Sequence, residues 1–344
     1  MRFNLLFYAL GVTVRLVHIG LGEFERRALM LLQYEFPLDS LDPFEHVAVK
    51  LGVDTDHLLS ALQRLAEQGI LKRVGFYVNP RSRRKSVALV AFRGGNVDKA
   101  ASLCASDDEV THCYERDGGE WRVWVVRRAR SIDELLSWAA SFARNIGADG
   151  FEVLVARRVH RLSVKYDLYR GVSRAGPYTR VVLNPPSPEE LGLPSELPAL
   201  VRSLPLSRRP YASIAERLGL REEDVLQGVK LLLERGVLGD PGAVLDGHRI
   251  GFRYNAMVVA WPRTSTERLC EEIVDNIPEA THIVERLPYP SDTKAYWAPT
   301  CYAMVHGVSR DVIEPVIRRV EQLDSVDRVE VLYSVRDLKP GAER

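Results

Sequence analysis

The string Thr111-His112-Cys113-Tyr114-Glu115-Arg116 returns as Thr281-His282-Ile283-Val284-Glu285-Arg286, so a Thr-His pair followed by Glu-Arg occurs twice at one spacing. A second match joins His46-Val47-Ala48-Val49-Lys50-Leu51-Gly52-Val53 to Ser213-Ile214-Ala215-Glu216-Arg217-Leu218-Gly219-Leu220. The offsets are 170 (282 − 112) and 167 (213 − 46). A period this long means two tandem domain sets rather than a solenoid. At 344 residues the chain has length for two or more cores.

Each repeat opens with three helical patterns. In the first they are Phe24 to Tyr34, Phe44 to Leu51 and Thr55 to Gln68, the last with Leu58, Leu59, Leu62 and Leu65 at helical spacing and Gly69 as its stop. In the second they are Pro188 to Ser203, Ser207 to Leu218 and Arg221 to Arg235, stopped by Gly236. A helix, an Ala-x-x-Leu-Gly turn and a second amphipathic helix predict a helix-turn-helix. The runs Ile70 to Val78 and Val237 to Gly251 read as wings.

A β-α-β-β-α-β order follows each wing, ending in Gly150 to Leu168 and in Val326 to Val335. That order predicts a four-stranded antiparallel sheet with both helices on one face. The expected fold is therefore α+β: a tandem duplication, each half a winged helix-turn-helix followed by a ferredoxin-like βαββαβ sheet domain. The expected divisions are an N-terminal extension (1–22), winged helix-turn-helix 1 (23–80), ferredoxin-like domain 1 (81–170), a Pro-rich linker (171–187), winged helix-turn-helix 2 (188–250) and ferredoxin-like domain 2 (251–344). Each sheet leaves one face bare, so the halves are expected to pack as an internal pseudo-dimer through their sheets; further homo-oligomerisation stays open.

Composition narrows the function classes. With 46% hydrophobic and 27% charged residues the chain is of the soluble globular type. A net charge of +1 gives no global field for holding nucleic acid. Cys104, Cys113, Cys270 and Cys301 show no C-x-x-C spacing, so neither a zinc site nor a disulfide framework is expected and a reducing cytoplasm is the default. The apolar first 22 residues are interrupted by Arg15 and His18, and the stretch Val12 to Ile19 alternates like a strand.

The motifs resemble the siroheme decarboxylases, a branch of the Lrp/AsnC class. The first repeat carries Val110-Thr-His-Cys-Tyr-Glu-Arg116, Trp124 and Arg161-Leu-Ser-Val-Lys165-Tyr-Asp-Leu168. The second carries Gly251-Phe-Arg-Tyr-Asn255-Ala-Met257, Ala280-Thr-His-Ile-Val-Glu-Arg286, Tyr302-Ala-Met-Val-His306-Gly307 and Tyr333-Ser-Val-Arg-Asp-Leu-Lys339. The resemblance spans residues 24–170 and 188–339, with both subunits of the family's paired enzyme in one chain. It implies removal of two acetate carboxyls from siroheme, giving 12,18-didecarboxysiroheme on the alternative haem or the haem d1 route. It implies no added cofactor, since the iron arrives with the substrate. Departures fall on Arg122-Val123-Trp124, on Val284 where the first repeat has Tyr114, on Trp297-Ala-Pro299-Thr300, on Gly239-Asp240 and on His248.

A carboxyl-ringed macrocycle needs an apolar slot and rim cations, because guanidinium pairs bidentately with carboxylate. The expected substrate-binding set is Arg81, Arg84, Arg161, Lys165, Arg249 and Arg253 for charge, with Tyr114, Trp124, Asn255, Met257, Tyr302 and His306 as walls and polar contacts. Loss of CO2 leaves electrons that the conjugated ring delocalises, and the new methyl needs a proton. His112 and His282 are the expected proton donors, with Arg116 and Arg286 positioning carboxylates. Strand residues i and i+4 share a face, which makes each His-Arg couple coherent. His306 or His248 is the expected axial ligand to the substrate's iron.

Two rivals remain. A DNA-binding regulator would explain the helix-turn-helix, but Thr55 to Gln68 carries Asp56 and Glu67 against Arg64, and the other recognition helix opens Arg221-Glu-Glu-Asp224. No nucleic-acid or membrane partner is expected. A non-catalytic tetrapyrrole sensor needs the same slot and cations as the enzyme.

Overall fold

The computed structural model describes residues 20–79, 86–117, 119–178, 181–289 and 299–340. The first repeat runs α1 (Glu23–Tyr34), α2 (Pro43–Leu51), α3 (Thr55–Glu67), β1 (Leu71–Val78), β2 (Ser86–Gly94), α4 (Val97–Ser106), β3 (Val110–Arg116), β4 (Trp121–Ala129), α5 (Ile132–Ile146) and β5 (Ala148–Leu162). Two short strands follow, β6 (Tyr166–Asp167) and β7 (Val172–Ser173). The second repeat runs α6 (Leu197–Val201), α7 (Ala212–Leu218), α8 (Glu222–Glu234), β8 (Leu238–Leu245), β9 (Tyr254–Pro262), α9 (Thr266–Asn276), β10 (His282–Tyr289), β11 (Cys301–Gly307), α10 (Arg310–Glu321) and β12 (Val326–Asp337).

Local chemistry sets these limits. Asp42 caps α2 by accepting from Glu45 N, Pro43 fixes its first turn, and Gly52 ends it in the left-handed region. The helix expected from Pro188 to Ser203 is broken: a 3-10 turn at Glu189–Leu191 precedes the short α6, because Gly192, Pro194 and Pro198 punctuate the segment. Likewise α7 starts at Ala212, after Pro210, rather than at Ser207.

The wings do not close locally. Each gives one strand, and β1 pairs antiparallel with β8 so that Gly75 faces Gly242. A Cβ on Gly242 would sit 2.0 Å from the Leu32 carbonyl of α1, and one on Gly75 would sit 2.4 Å from the Arg202 carbonyl after α6. The close approach in each wing is thus made by the other repeat's first helix. Leu29, Leu62, Phe76, Leu197, Tyr211 and Leu232 lie in one continuous core across both repeats.

The larger sheet has the order β10-β5-β2-β4-β3-β12-β9-β11-β7-β6, and β10 also pairs with β11. Eight strands therefore close into a barrel, with β5-β2-β4-β3 from the first repeat and β12-β9-β11-β10 from the second. The sheets of the two halves meet edge to edge, at β3–β12 and β5–β10. Closure satisfies the backbone groups of both open edges and turns the bare faces inward.

Alternate residues then separate cleanly. Val90, Phe92, Cys113 and Val125 pack under the first repeat's helices, and Val258, Ala260, Ile283 and Val305 under the second's. Leu89, Ala91, Trp124, Leu154, Met257, Val259, Tyr302 and Leu332 fill the interior.

The cysteines need correction too. Cys104–Cys113 ties α4 to β3, and Cys270–Cys301 ties α9 to β11, with Cα separations of 6.4 and 5.9 Å. Their sequence separations of 9 and 31 residues match no short motif; the pairs meet only because helix packs on sheet. Among the described residues no helix is long and apolar enough to cross a membrane.

Candidate active site

Cys113 and Ile283 face the helices, so period-two alternation turns His112, Tyr114 and Arg116 of β3, and His282, Val284 and Arg286 of β10, toward the barrel interior. The two His-Arg couples of the sequence therefore point into the same barrel interior. They occupy matched places: His112 lies opposite Val126 and Tyr114 opposite Trp124, while His282 lies opposite Met304 and Val284 opposite Tyr302.

Both arginines cross the seams between repeats. Arg116 Nη1 donates to the Leu332 carbonyl at 3.1 Å, and Arg286 Nη1 donates to the Leu154 carbonyl at 3.1 Å. Arg116 stands 5.2 Å from the Tyr114 ring and Arg286 stands 5.7 Å from the Tyr302 ring. Among the described residues neither has an ion-pair partner, and neither Nε has a hydrogen-bond acceptor. Burial pushes both guanidinium groups down to about 10, so they stay charged at neutral pH. Uncompensated buried cations are costly, and they favour an incoming anion.

The threonine of the repeated motif also has a role. Thr111 Oγ1 donates to the Val126 carbonyl at 3.2 Å and lies 3.0 Å from His112 Nδ1; Thr281 Oγ1 donates to the Met304 carbonyl at 3.1 Å and lies 3.3 Å from His282 Nδ1. A hydroxyl that gives its proton to a carbonyl accepts from Nδ1–H, which leaves each Nε2 as an acceptor. Burial, reinforced by the Arg286 charge, pushes His282 down to about 4. It is a neutral imidazole at neutral pH.

Other expected residues scatter. Trp124 and Met257 pack in the barrel interior, Trp124 donating Nε1–H to the Trp121 carbonyl at 2.7 Å. Asn255 and His306 face each other across β9 and β11, with His306 Nδ1 2.5 Å from Asn255 Oδ1; the matched pair in the first repeat is Val87 and Arg128. His248, Arg249 and Arg253 line a separate open groove of about 580 Å³ with Gln68 and Ile70. Among the described residues no three His, Cys, Asp or Glu side chains group as a metal site.

Two of the expected rim cations are held by the chain itself. Arg161 is buried and donates to the carbonyls of Val274, Ile277 and Ala280, capping the C-terminal end of α9. Lys165 is buried, donates to the Gln33 and Pro241 carbonyls, and pairs with Asp240 at 3.3 Å. Both are engaged by backbone, which strand-end position in a sequence does not reveal. Arg81 and Arg84, with Trp297 and the strand expected over Val12 to Ile19, lie outside the described residues.

Glu152 and Glu330 were missed by the sequence reading. Glu152 pairs with Ala91, Glu330 pairs with Val259, and each shares the inward face of the leucine two residues on. The signal is legible in retrospect: Glu152-Val153-Leu154 and Glu330-Val331-Leu332 repeat at an offset of 178 (330 − 152).

Residues 84–161 and 249–339 match the AsnC-like ligand binding domain family, and residues 25–71 and 197–238 match the siroheme decarboxylase NirDL-like HTH domain family. The siroheme decarboxylase beta subunit of Oleidesulfovibrio alaskensis is 31% identical over 141 residues, 40% of this chain and 85% of that subunit. This chain belongs to the siroheme decarboxylase family. A siroheme decarboxylase of Hydrogenobacter thermophilus is 26% identical over 324 residues, covering 92% of this chain and 93% of the relative. Among solved structures, the siroheme decarboxylase NirDL aligns over 92% of both chains at 23% identity with a TM-score of 0.59. The same enzyme in co-complex with an iron-uroporphyrin III analogue aligns with a TM-score of 0.58 at 24% identity. These two likenesses establish the shared fold.

Proposed function

We propose that this protein is a siroheme decarboxylase, removing two acetate carboxyls from siroheme to give 12,18-didecarboxysiroheme for haem or haem d1 synthesis. One observation supports it above the others: Arg116 and Arg286, matched by the repeat, are buried cations on one barrel interior, without an ion-pair partner among the described residues. Two such guanidinium groups suit a substrate that presents two carboxylates for removal. The relatives' names and the complex with an iron-uroporphyrin analogue agree with that reading.

The waist of the eight-stranded barrel is filled by Trp124, Tyr302 and Met257, which leaves the macrocycle outside it. The ring rests at the barrel rim and points its acetates inward. Each arginine fixes one carboxylate while the C–C bond breaks, CO2 leaves, and the electron pair passes into the ring. His112 and His282, each with Nδ1 turned to its threonine and Nε2 left as an acceptor, flank the reacting arm and orient it, and in this reading the proton expected from them comes from a separate donor. His306, held by Asn255, is the candidate axial ligand to the substrate's iron. We read each half as a winged helix-turn-helix plus a ferredoxin-like domain, and the whole as an internal pseudo-dimer. The β5-β2-β4-β3 and β12-β9-β11-β10 orders support this.

The regulator reading fares poorly. In the first turn of α3, Asp56 is held by Arg208 of the other repeat at 2.9 Å, so a groove-reading position is occupied by an acid and its internal partner. Anaerobic incubation with siroheme and mass analysis tests the proposal. Loss of two CO2 supports it, and an unchanged bound tetrapyrrole contradicts it.

A further inference from the structure

The second repeat has Val284 where the first has Tyr114, which in sequence looks like the loss of a phenol. The sheet register says otherwise. Tyr114 on β3 faces Trp124 on β4, and Val284 on β10 faces Tyr302 on β11. The aromatic phenol has moved to the neighbouring strand of the same cross-strand pair. Each interior site keeps one tyrosine, one arginine over its ring, and one histidine two rungs away. Tyr302 is 4% exposed, and its hydroxyl makes no hydrogen bond among the described residues. A buried hydroxyl left without an acceptor is costly and marks a place where a reacting group is expected. Neutral His282, with its proton on Nδ1 facing Thr281, has none to give from Nε2.

We propose that Tyr302 in the second repeat, and Tyr114 in the first, are the proton donors that convert each decarboxylated arm to a methyl group. The inference rests on the siroheme reading above. As CO2 departs, the C–C bonding pair is left on the arm's methylene carbon and the conjugated ring. The phenol O–H bond breaks, its proton forms the third C–H bond, and the phenolate is held by the adjacent guanidinium. Solvent returns a proton to each phenolate after turnover, reaching Tyr302 by way of Glu152, which faces the same interior and whose charge is felt at the phenol. The step needs no oxidant or reductant.

Tyr114→Phe, Tyr302→Phe and the double variant test this, with siroheme under anaerobic conditions. Phe keeps the ring and its packing, so the absorption spectrum of bound siroheme and the thermal midpoint should match the parent chain. Each single variant should stall at the monodecarboxylated product, and the double variant should slow CO2 loss by about 100-fold or more. A double variant that makes the doubly decarboxylated product at the parent rate overturns the donor assignment alone. A parent chain that binds siroheme and releases no CO2 overturns the function and the donor role together.

Discussion

Arg286 of the second repeat donates to the carbonyl of Leu154 in the first, while Arg116 of the first donates to the carbonyl of Leu332 in the second. Each half therefore uses the other half's last strand to aim its cation. A single repeat holds only one partner of each of these contacts.

Replacing Arg116 or Arg286 by Met should separate binding from stability. A charge-assisted contact to a carboxylate contributes about 2 kcal/mol, so each change should weaken siroheme binding roughly thirtyfold in an anaerobic spectral titration. The thermal midpoint should hold or rise, because an apolar side chain relieves a buried unpaired cation. Equal affinity in both variants would remove the arginines from the site.

Much of this was legible in the repeat. Thr-His-x-x-Glu-Arg located both couples, and strand periodicity put His and Arg on one face. The barrel was not legible, because edge pairing of β3 with β12 and of β5 with β10 depends on residues far apart in sequence. For Arg161 and Lys165 a sequence shows charge without showing the carbonyls that engage it. The restored phenol at Tyr302 needed a cross-strand register, which local alignment of the motif cannot supply.

The histidine predicts a pH signature. His282 moves from 6.5 when unfolded to about 4 when folded, so unfolding takes up a proton between those values. Its stabilising effect is complete above 6.5 and is lost as pH falls toward 4, by at most about 3 kcal/mol. His282→Leu should flatten that part of the stability curve in denaturant titrations at pH 7.5 and 4.5. An unchanged difference between the two pH values would contradict the buried neutral imidazole.

The wing crossing predicts a sharp glycine requirement. Gly242→Ala meets the Leu32 carbonyl at 2.0 Å with φ at +118°, and should cost about 3 kcal/mol or more. Gly219→Ala, at φ +65° with nothing within 4 Å, serves as the control and should cost about 1 kcal/mol. Equal losses in urea unfolding would mean that the backbone angle, not the packing of α1 on β8, sets the requirement.

The disulfides should stabilise by restricting the unfolded chain. Loops of 9 and 31 residues correspond to about 3 and about 4 kcal/mol in the chain-entropy picture. Reductant in the urea titration should lower the midpoint, and Cys104→Ala with Cys270→Ala should make it insensitive to reductant. A midpoint that ignores reductant in the parent chain would show that the pairs are not oxidised in solution.

The most direct measurement is mass analysis of siroheme after anaerobic incubation with the parent chain and with a His112→Ala, His282→Ala double variant of unchanged circular dichroism. The parent should remove two carboxyl groups and the double variant none. Full conversion by the double variant would mean that the paired imidazoles do not take part in the chemistry.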